Sequence, residues 1–362
     1  MRPLFLAPYG DFGGSESVLL RLIDRLGPAI EPEAVVMSEG KLAGRLELAG
    51  VPSTVVHLPG KLAVARFPLV VRRLTPELAG RGFTFIHANG TKAALLGIRL
   101  ARRLGIPLVW MKHDHAYEGP LTRNLAARCD RIICVSQAMA DLLGPKVRGR
   151  VVVAYPGVEL DPSPPTGPSR PTIISVGRMD PRKGFMELID AVAILRAAGR
   201  EDLRLVIGGP DYPPAPGHRE QLRSHAAALG MTECTQLGWI EDLDAAYREA
   251  RVVAMTSRRM RGRPAEGAPL VLMEGMSHGL PAVGPNEPGI AEVVGDAGTL
   301  VDDRTPDGYA RALAPYLGDP EMARAVGLRG RERVRELFTF DTTVERVRAV
   351  YEELDRIGRR VG

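Results

Sequence analysis

A chain of 362 residues is long enough to bury two full cores, and 45% hydrophobic with 25% charged residues describes an ordinary globular protein rather than a disordered or fibrous one. The net charge of +5 is diffuse and mostly arginine, which suits small anionic ligands or a weak peripheral membrane association, and no zinc-finger, RRM or basic-helix pattern points to nucleic acid. Three cysteines, Cys129, Cys134 and Cys234, give no disulfide framework or zinc site and are expected as small buried hydrophobes in a reducing, cytoplasmic setting.

Leu4 to Ala7 is expected as a buried strand and Ser15 to Leu26 as a helix with Leu19, Leu22, Ile23 and Leu26 on one face. The stretch Arg2 to Pro8 is too short in apolar residues for a leader, and no run approaches the ~20 apolar residues of a membrane span. Ala34 to Met37, Ser53 to His57 and Phe83 to His87 read as strands, and Lys92 to Leu104 as a helix. Leu108 to Lys112 and Arg131 to Val135 are short strands, Gln137 to Leu143 a helix and Val151 to Ala154 a strand. Tyr155 to Pro171 holds too much Pro and Gly to continue either element, so it is expected to link two domains, 1–160 and 161–341.

The alternation then restarts. Strands are expected at Thr172 to Val176, Leu203 to Gly208, Thr235 to Leu237, Val252 to Met255, Ala282 to Val283 and Gly298 to Val301. Helices are expected at Gly184 to Ala197, His218 to Ala228, Leu243 to Ala250 and Leu270 to His278, with mostly helix from Pro306. Strands separated by helices indicate right-handed βαβ units. Two Rossmann-like domains with parallel sheets facing across a cleft would bind a ligand at their carboxyl strand ends.

Glu266 and Glu274 stand either side of Pro269 and the start of a helix. Eight helical steps would separate them by about 12 Å, roughly the span from sugar to ribose in a bent nucleotide sugar, with a diphosphate near the helix N-terminus at Leu270 and Val271. The plain alternative is an amphipathic helix with two solvated glutamates. Arg178 and Lys183 follow a strand and precede a helix, where two cations suit a diphosphate leaving group; surface cations on a solvated loop are the alternative. Gly13 and Gly14 form a βα turn that lets N–H groups approach an anion, or simply a turn capped by Ser15. Gly208–Gly209 and Gly238 are strand-end turns whose backbone could read a nucleobase edge. His113–Asp114–His115 is no convincing metal pair, because residues two apart on an extended chain point to opposite faces; Asn89, Asp114, His115 and Tyr117 are the acceptor-side candidates. Lys61 to Leu74 mixes basic and bulky apolar residues and reads as a helix packed on the first domain, or as a lipid-touching face.

Taken together these motifs resemble the retaining glycosyltransferases of family four, which have the two-domain GT-B α/β fold. The resemblance rests on the Glu266/Glu274 spacing with Gly279–Leu280–Pro281 behind it, on Arg178 and Lys183, on the Gly13–Gly14 loop and on His113. It implies that Glu274 binds the ribose hydroxyls, that Glu266 holds the transferred sugar and that Arg178 and Lys183 neutralise the diphosphate. It further implies that backbone near Gly14 and Leu270 assists, that His113 meets the sugar, that Ile240 lies near the base and that the C-terminal helix, 342–362, packs back on the first domain. No metal and no other cofactor is expected. The usual Phe-Gly after Glu266 is Ala268–Pro269 here, and Ser257 to Pro264 is unusually basic. The activity implied is transfer of a sugar, with retention, from a nucleoside diphosphate sugar (UDP ahead of GDP) to a hydroxyl of a small acceptor, as in aminoglycoside-like natural-product biosynthesis. The alternatives are a lipid-linked or cell-envelope saccharide acceptor at the inner membrane face, and a catalytically silent nucleotide-sugar-binding protein. The oligomeric state is not readable from the sequence.

Overall fold

The computed structural model describes residues 1–11, 13–58, 61–113, 115, 119–162, 171–259, 264 and 266–361, without the side chains of 61–63 and 361. The chain divides into two compact units, 1–156 with 341–362, and 157–340.

The first unit is built on strands β1 (Pro3–Ala7), β2 (Glu33–Val36), β3 (Ser53–Val55), β4 (Phe85–Asn89), β5 (Leu108–Lys112), β6 (Arg131–Cys134) and β7 (Val151–Val153). They form one parallel sheet in the order β3-β2-β1-β4-β5-β6-β7. Helices α1 (Gly14–Leu26), α2 (Lys41–Leu48), α3 (Phe67–Leu78), α4 (Thr91–Leu104), α5 (Pro120–Ala126) and α6 (Gln137–Asp141) connect them. Every residue of β1, β4 and β5 is buried, which is why β1 and most of β5 read as short apolar runs, while β4 also buries His87 and Asn89. In α3, Phe67, Val70, Val71, Leu74 and Leu78 face inward, so most of the bulky apolar content of the Lys61 to Leu74 stretch is core.

The second unit carries β8 (Thr172–Val176), β9 (Arg204–Gly208), β10 (Thr235–Gly238), β11 (Val252–Ala254), β12 (Ala282–Pro285) and β13 (Gly298–Val301). These are parallel in the order β10-β9-β8-β11-β12-β13. Its helices are α7 (Phe185–Ala197), α8 (His218–Ala228), α9 (Leu243–Glu249), α10 (Leu270–Ser277), α11 (Pro288–Val294), α12 (Pro306–Gly318) and α13 (Pro320–Leu337). One core continues from Ile173 and Ile207 through Leu188 and Val192 to Leu313 and Tyr316.

The last helix, α14 (Phe340–Val361), belongs to the first unit for nearly all its length. Its Tyr351 is fully buried, with its ring 4.8 Å from Phe85 and its hydroxyl hydrogen-bonded to His87 Nδ1 at 2.6 Å. Among the described residues no helix is long and apolar enough to cross a membrane.

In each sheet the strand order reverses once, between β1 and β4 and between β8 and β11. Open α/β sheets hold ligands beyond the carboxyl ends of the strands at such a reversal. The loops leaving β8 and β11 carry Arg178, Lys183, Ser257 and Glu266, and those leaving β1 and β4 carry Gly13 and lead into α4.

Candidate functional site

In the second unit, β8 ends at Val176 and the chain turns through Gly177 and Arg178 into a short helical turn, Pro181–Lys183. Asp180 caps that turn, accepting from Arg182 N at 3.0 Å and from the Arg182 side chain. Burial by itself would raise the Asp180 carboxyl, but the hydrogen bonds and charge of Arg182, aided by Arg178, hold it below the usual range. Arg178 sits over the Tyr212 ring, 4.8 Å from its centroid, with Arg182 also against that ring at 5.3 Å. The aromatic face holds the guanidinium in place while leaving it 46% exposed.

Lys183 Nζ donates to Glu266 Oε1 at 2.6 Å, and Ser257 Oγ donates to the same oxygen at 3.0 Å. Thr256 Oγ1 donates to the carbonyls of Lys183 (3.0 Å) and Gly184 (2.8 Å). Two loops far apart in sequence are thus tied together at the sheet reversal. Both partners of the ion pair are 22% exposed, so the pair stays within reach of solvent. A partly exposed pair of this kind can be broken at modest cost.

Helix α10 starts at Leu270, with Pro269 as its cap residue in extended conformation, a residue whose side chain offers no cap to the first N–H groups. Glu266 therefore lies outside the helix, in the loop before it, and the spacing of about 12 Å along one helical run does not apply. Pro269 and Val271 are buried and Leu270 is half-buried. Glu274, in the middle of α10, is half-buried, and its Oε2 accepts from the Tyr247 hydroxyl at 3.1 Å.

The glycines at the ends of β8, β9 and β10 meet in backbone contact. Gly177 N donates to Gly208 O and Gly209 N to Gly238 O, both at 2.8 Å. Gly209 has φ of +145°, and a Cβ there would lie 2.0 Å from the Gly177 carbonyl oxygen. Ile240 fills the space over Gly208, where an added Cβ would stand 2.4 Å from Ile240 Cδ1. Gly209→Ala should therefore destabilise the second unit by roughly 2 kcal/mol or more, read as a fall in melting temperature, whereas Ile240→Val should leave the melt close to native.

In the first unit, α1 begins at Gly14 with Gly13 as its cap residue. Ser15 is not the cap; its hydroxyl donates to Glu16 Oε1 at 2.9 Å. Glu16 is itself buried in that first turn, so the N-terminus of α1 already faces a carboxylate. His113 follows β5 and is half-buried, with Nε2 2.6 Å from Asn89 Oδ1. Asn89 donates from Nδ2 to Ser15 O at 3.4 Å and is only 1% exposed. It supports His113 instead of presenting a surface to an acceptor. His115 is buried as well; Asp114 and Tyr117 lie outside the described residues. Cys129 and Cys134 are buried and Cys234 is only half-buried.

Burial drives the His87 imidazole, beneath this group, down to about 3. Among the described residues no three His, Cys, Asp or Glu side chains gather to hold a metal ion. Ser257, Tyr247, Asp180 and Tyr212 carry no motif of their own in the sequence. Their part emerges only from contacts with Glu266, Glu274, Arg182 and Arg178.

The family model described as "Glycosyltransferase Family 4" matches residues 12–162, and that described as "Glycosyl transferases group 1" matches residues 159–333. The chain is 29% identical to a D-inositol 3-phosphate glycosyltransferase of Salinispora tropica, over 97% of this chain and 83% of that one. Over 48% of its length it is 33% identical to a GDP-mannose-dependent alpha-(1-6)-phosphatidylinositol monomannoside mannosyltransferase of Mycobacterium tuberculosis, of which 45% is matched. Among solved structures, HepE of Anabaena with UDP and glucose superposes with a TM-score of 0.78 at 22% identity, over 98% of this chain and 100% of that one. Sucrose-phosphate synthase of Thermosynechococcus elongatus superposes with a TM-score of 0.79 at 20% identity, over 98% and 99%. These likenesses establish the GT-B fold of two Rossmann-like units, and with both family models they mean that the chain belongs to the family-four glycosyltransferases.

Proposed function

We propose that the chain transfers a sugar, with retention at the anomeric carbon, from a nucleoside diphosphate sugar to a hydroxyl of a small polyhydroxylated acceptor. The meeting of Lys183 with Glu266 at 2.6 Å, in the loop that leads to the N-terminus of α10, carries this reading. A diphosphate would take Lys183 from Glu266, joined by Arg178 and by the first N–H groups of α10. The released Glu266 would then accept from hydroxyls of the sugar, still steadied by Ser257. Glu274 would bind the ribose, and the glycine backbone under Ile240 would pack against the base.

In the reaction the acceptor oxygen bonds to the anomeric carbon on the face from which the diphosphate oxygen departs. That departing oxygen takes the acceptor's proton, so the two cations have only to offset developing negative charge. No metal or cofactor enters this scheme. On the first unit, His113 with its Nε2 held by Asn89 is the group proposed to contact a sugar hydroxyl. The Salinispora relative is named for an inositol phosphate, which supports a compact polyol acceptor. The mycobacterial relative is named for a lipid acceptor and a GDP-sugar, and it keeps a lipid-linked saccharide as the second reading.

Thermal melts with UDP and with GDP test the donor. The nucleotide of the true donor, at 100 times its dissociation constant, should stabilise by about 2.7 kcal/mol. Stabilisation by neither would overturn the reading. Stabilisation without any donor hydrolysis or transfer would leave a silent binder. Flotation with liposomes, together with transfer to a soluble polyol, separates the two acceptor classes.

A further inference from the structure

Glu274 is held from several directions. Its backbone carbonyl accepts from Ser277 Oγ at 2.7 Å and lies 2.8 Å from His278 Nδ1. Its side-chain Oε2 accepts from Tyr247, which reaches across from α9. The Tyr247 ring is stacked on His278, with centroids 5.1 Å apart and planes inclined by 29°, and is 1% exposed. Burial, and then the charge and hydrogen bond of Glu274, push the Tyr247 phenol well above its ordinary value of 10. It therefore stays protonated, a lasting donor, throughout the neutral range.

We propose that Tyr247 is a positioning residue that fixes the Glu274 carboxylate for the ribose hydroxyls of the donor nucleotide and so sets the preference for ribose over deoxyribose. This rests on the assignment of Glu274 to the ribose. A glutamate side chain loses rotamer freedom whenever it is recruited to a ligand, and that loss weakens binding unless it has occurred on folding. Here the ring of Tyr247 is locked by its stacking partner, and its hydroxyl passes that order to one carboxylate oxygen. A carboxylate has about four lone-pair sites on its two oxygens, so a bond to Tyr247 is compatible with accepting from a vicinal diol. An unheld carboxylate would reach the diol from many rotamers and lose affinity chiefly for nucleotides that carry both hydroxyls. A tyrosine that only fills the core would instead affect ribose and deoxyribose forms alike.

The test is calorimetric titration of the full chain and of Tyr247→Phe and Glu274→Gln with UDP, deoxy-UDP, GDP and deoxy-GDP. The native chain should prefer the ribose form, and Tyr247→Phe should lose about tenfold in affinity for that form and little for the deoxy form. With the full donor, KM should rise while kcat stays close to native. An unchanged ribose-to-deoxyribose ratio in Tyr247→Phe, or equal weakening of both forms, overturns the positioning role. A native chain without ribose preference, or a Glu274→Gln variant that keeps it, removes the ribose assignment itself and the proposal with it. Loss of preference in Glu274→Gln but not in Tyr247→Phe removes the proposal alone.

Discussion

Replacing Arg178 and Lys183 together with alanine should lower kcat/KM for donor turnover by about a thousandfold or more. The two cations reach the same strand-end region by different routes. Arg178 is laid on the face of Tyr212, and Lys183 is fixed by the turn that Asp180 caps and by the Thr256 hydroxyl on its carbonyl. Neither is a core residue: Arg178 is 46% and Lys183 22% exposed. A partly exposed ion pair contributes at most about 1 kcal/mol to stability, so the double variant should melt close to native while turning over poorly. That split between fold and rate is the signature of charges aimed at a leaving group. Lys183→Ala alone removes the partner of Glu266 but leaves Ser257 on the same oxygen, so its defect should be smaller than that of the pair. Turnover of the double variant at the native rate would contradict the assignment of these residues to the diphosphate.

What the sequence discloses of this fold is set by burial. β5 and β8 are recognisable at their full bounds because each is a short, mainly apolar stretch with proline before it and His113 or Gly177 after it. Helix α8 is equally plain between Gly217 and Leu229. Helices α2, α5 and α11 are absent from the expected elements; α5 and α11 open on proline as a loop would, and α2, with only Leu42 and Leu46 buried, shows too few apolar positions for a period. The start of α10 is legible, at Leu270 after Pro269. Counting the spacing of the two glutamates in helical steps treats the residues before it as helical too. Gly267, however, lies so close to Gly289 that a Cβ on the latter would stand 2.2 Å from the Gly267 carbonyl, and the segment stays in a loop.

The parts of the site that could not be read are pairings between distant residues. Lys183 and Glu266 are 83 positions apart, and nothing in either neighbourhood names the other. The basic stretch before Glu266 shows the same limit. Arg258 is paired with Glu187 and Arg259 with Glu287, the latter at 2.9 Å from a fully buried carboxylate that also holds Arg304 at 2.6 Å. These two arginines fasten the loop to α7 and to the cap of α11, partners that the basic run in the sequence does not disclose. Residues 260–263 lie outside the described residues.

Acid should destabilise the first unit well before its carboxylates titrate, and His87 is the cause. Burial, then the charge of His113, lowers the His87 imidazole from 6.5 to about 3, against a smaller upward pull from Asn89. The unfolded chain takes up a proton at this residue below about pH 6.5, whereas the folded one does not until about pH 3. The stability that follows from keeping His87 neutral is complete above the upper value and drains away as pH falls through that window. It amounts to a loss of about 2 kcal/mol by about pH 5 and about 4 kcal/mol at about pH 3. Asp180 acts in a separate range: its carboxyl is lowered, so its contribution is present above the ordinary carboxylate value of 3.8 and lost only below it. The interval from pH 7 to about pH 5 should therefore report His87. The ring lies tilted against Phe5, with centroids 5.1 Å apart, and bonds the Tyr351 hydroxyl of α14, so charging it strikes the joint between the sheet and its returning helix. His87→Phe should lower the melting temperature at pH 7, because the Tyr351 hydroxyl loses its partner, yet flatten the dependence down to about pH 5. Tyr351→Phe should keep the slope. A His87→Phe chain that still loses stability as steeply as the native one would show that the acid response originates elsewhere.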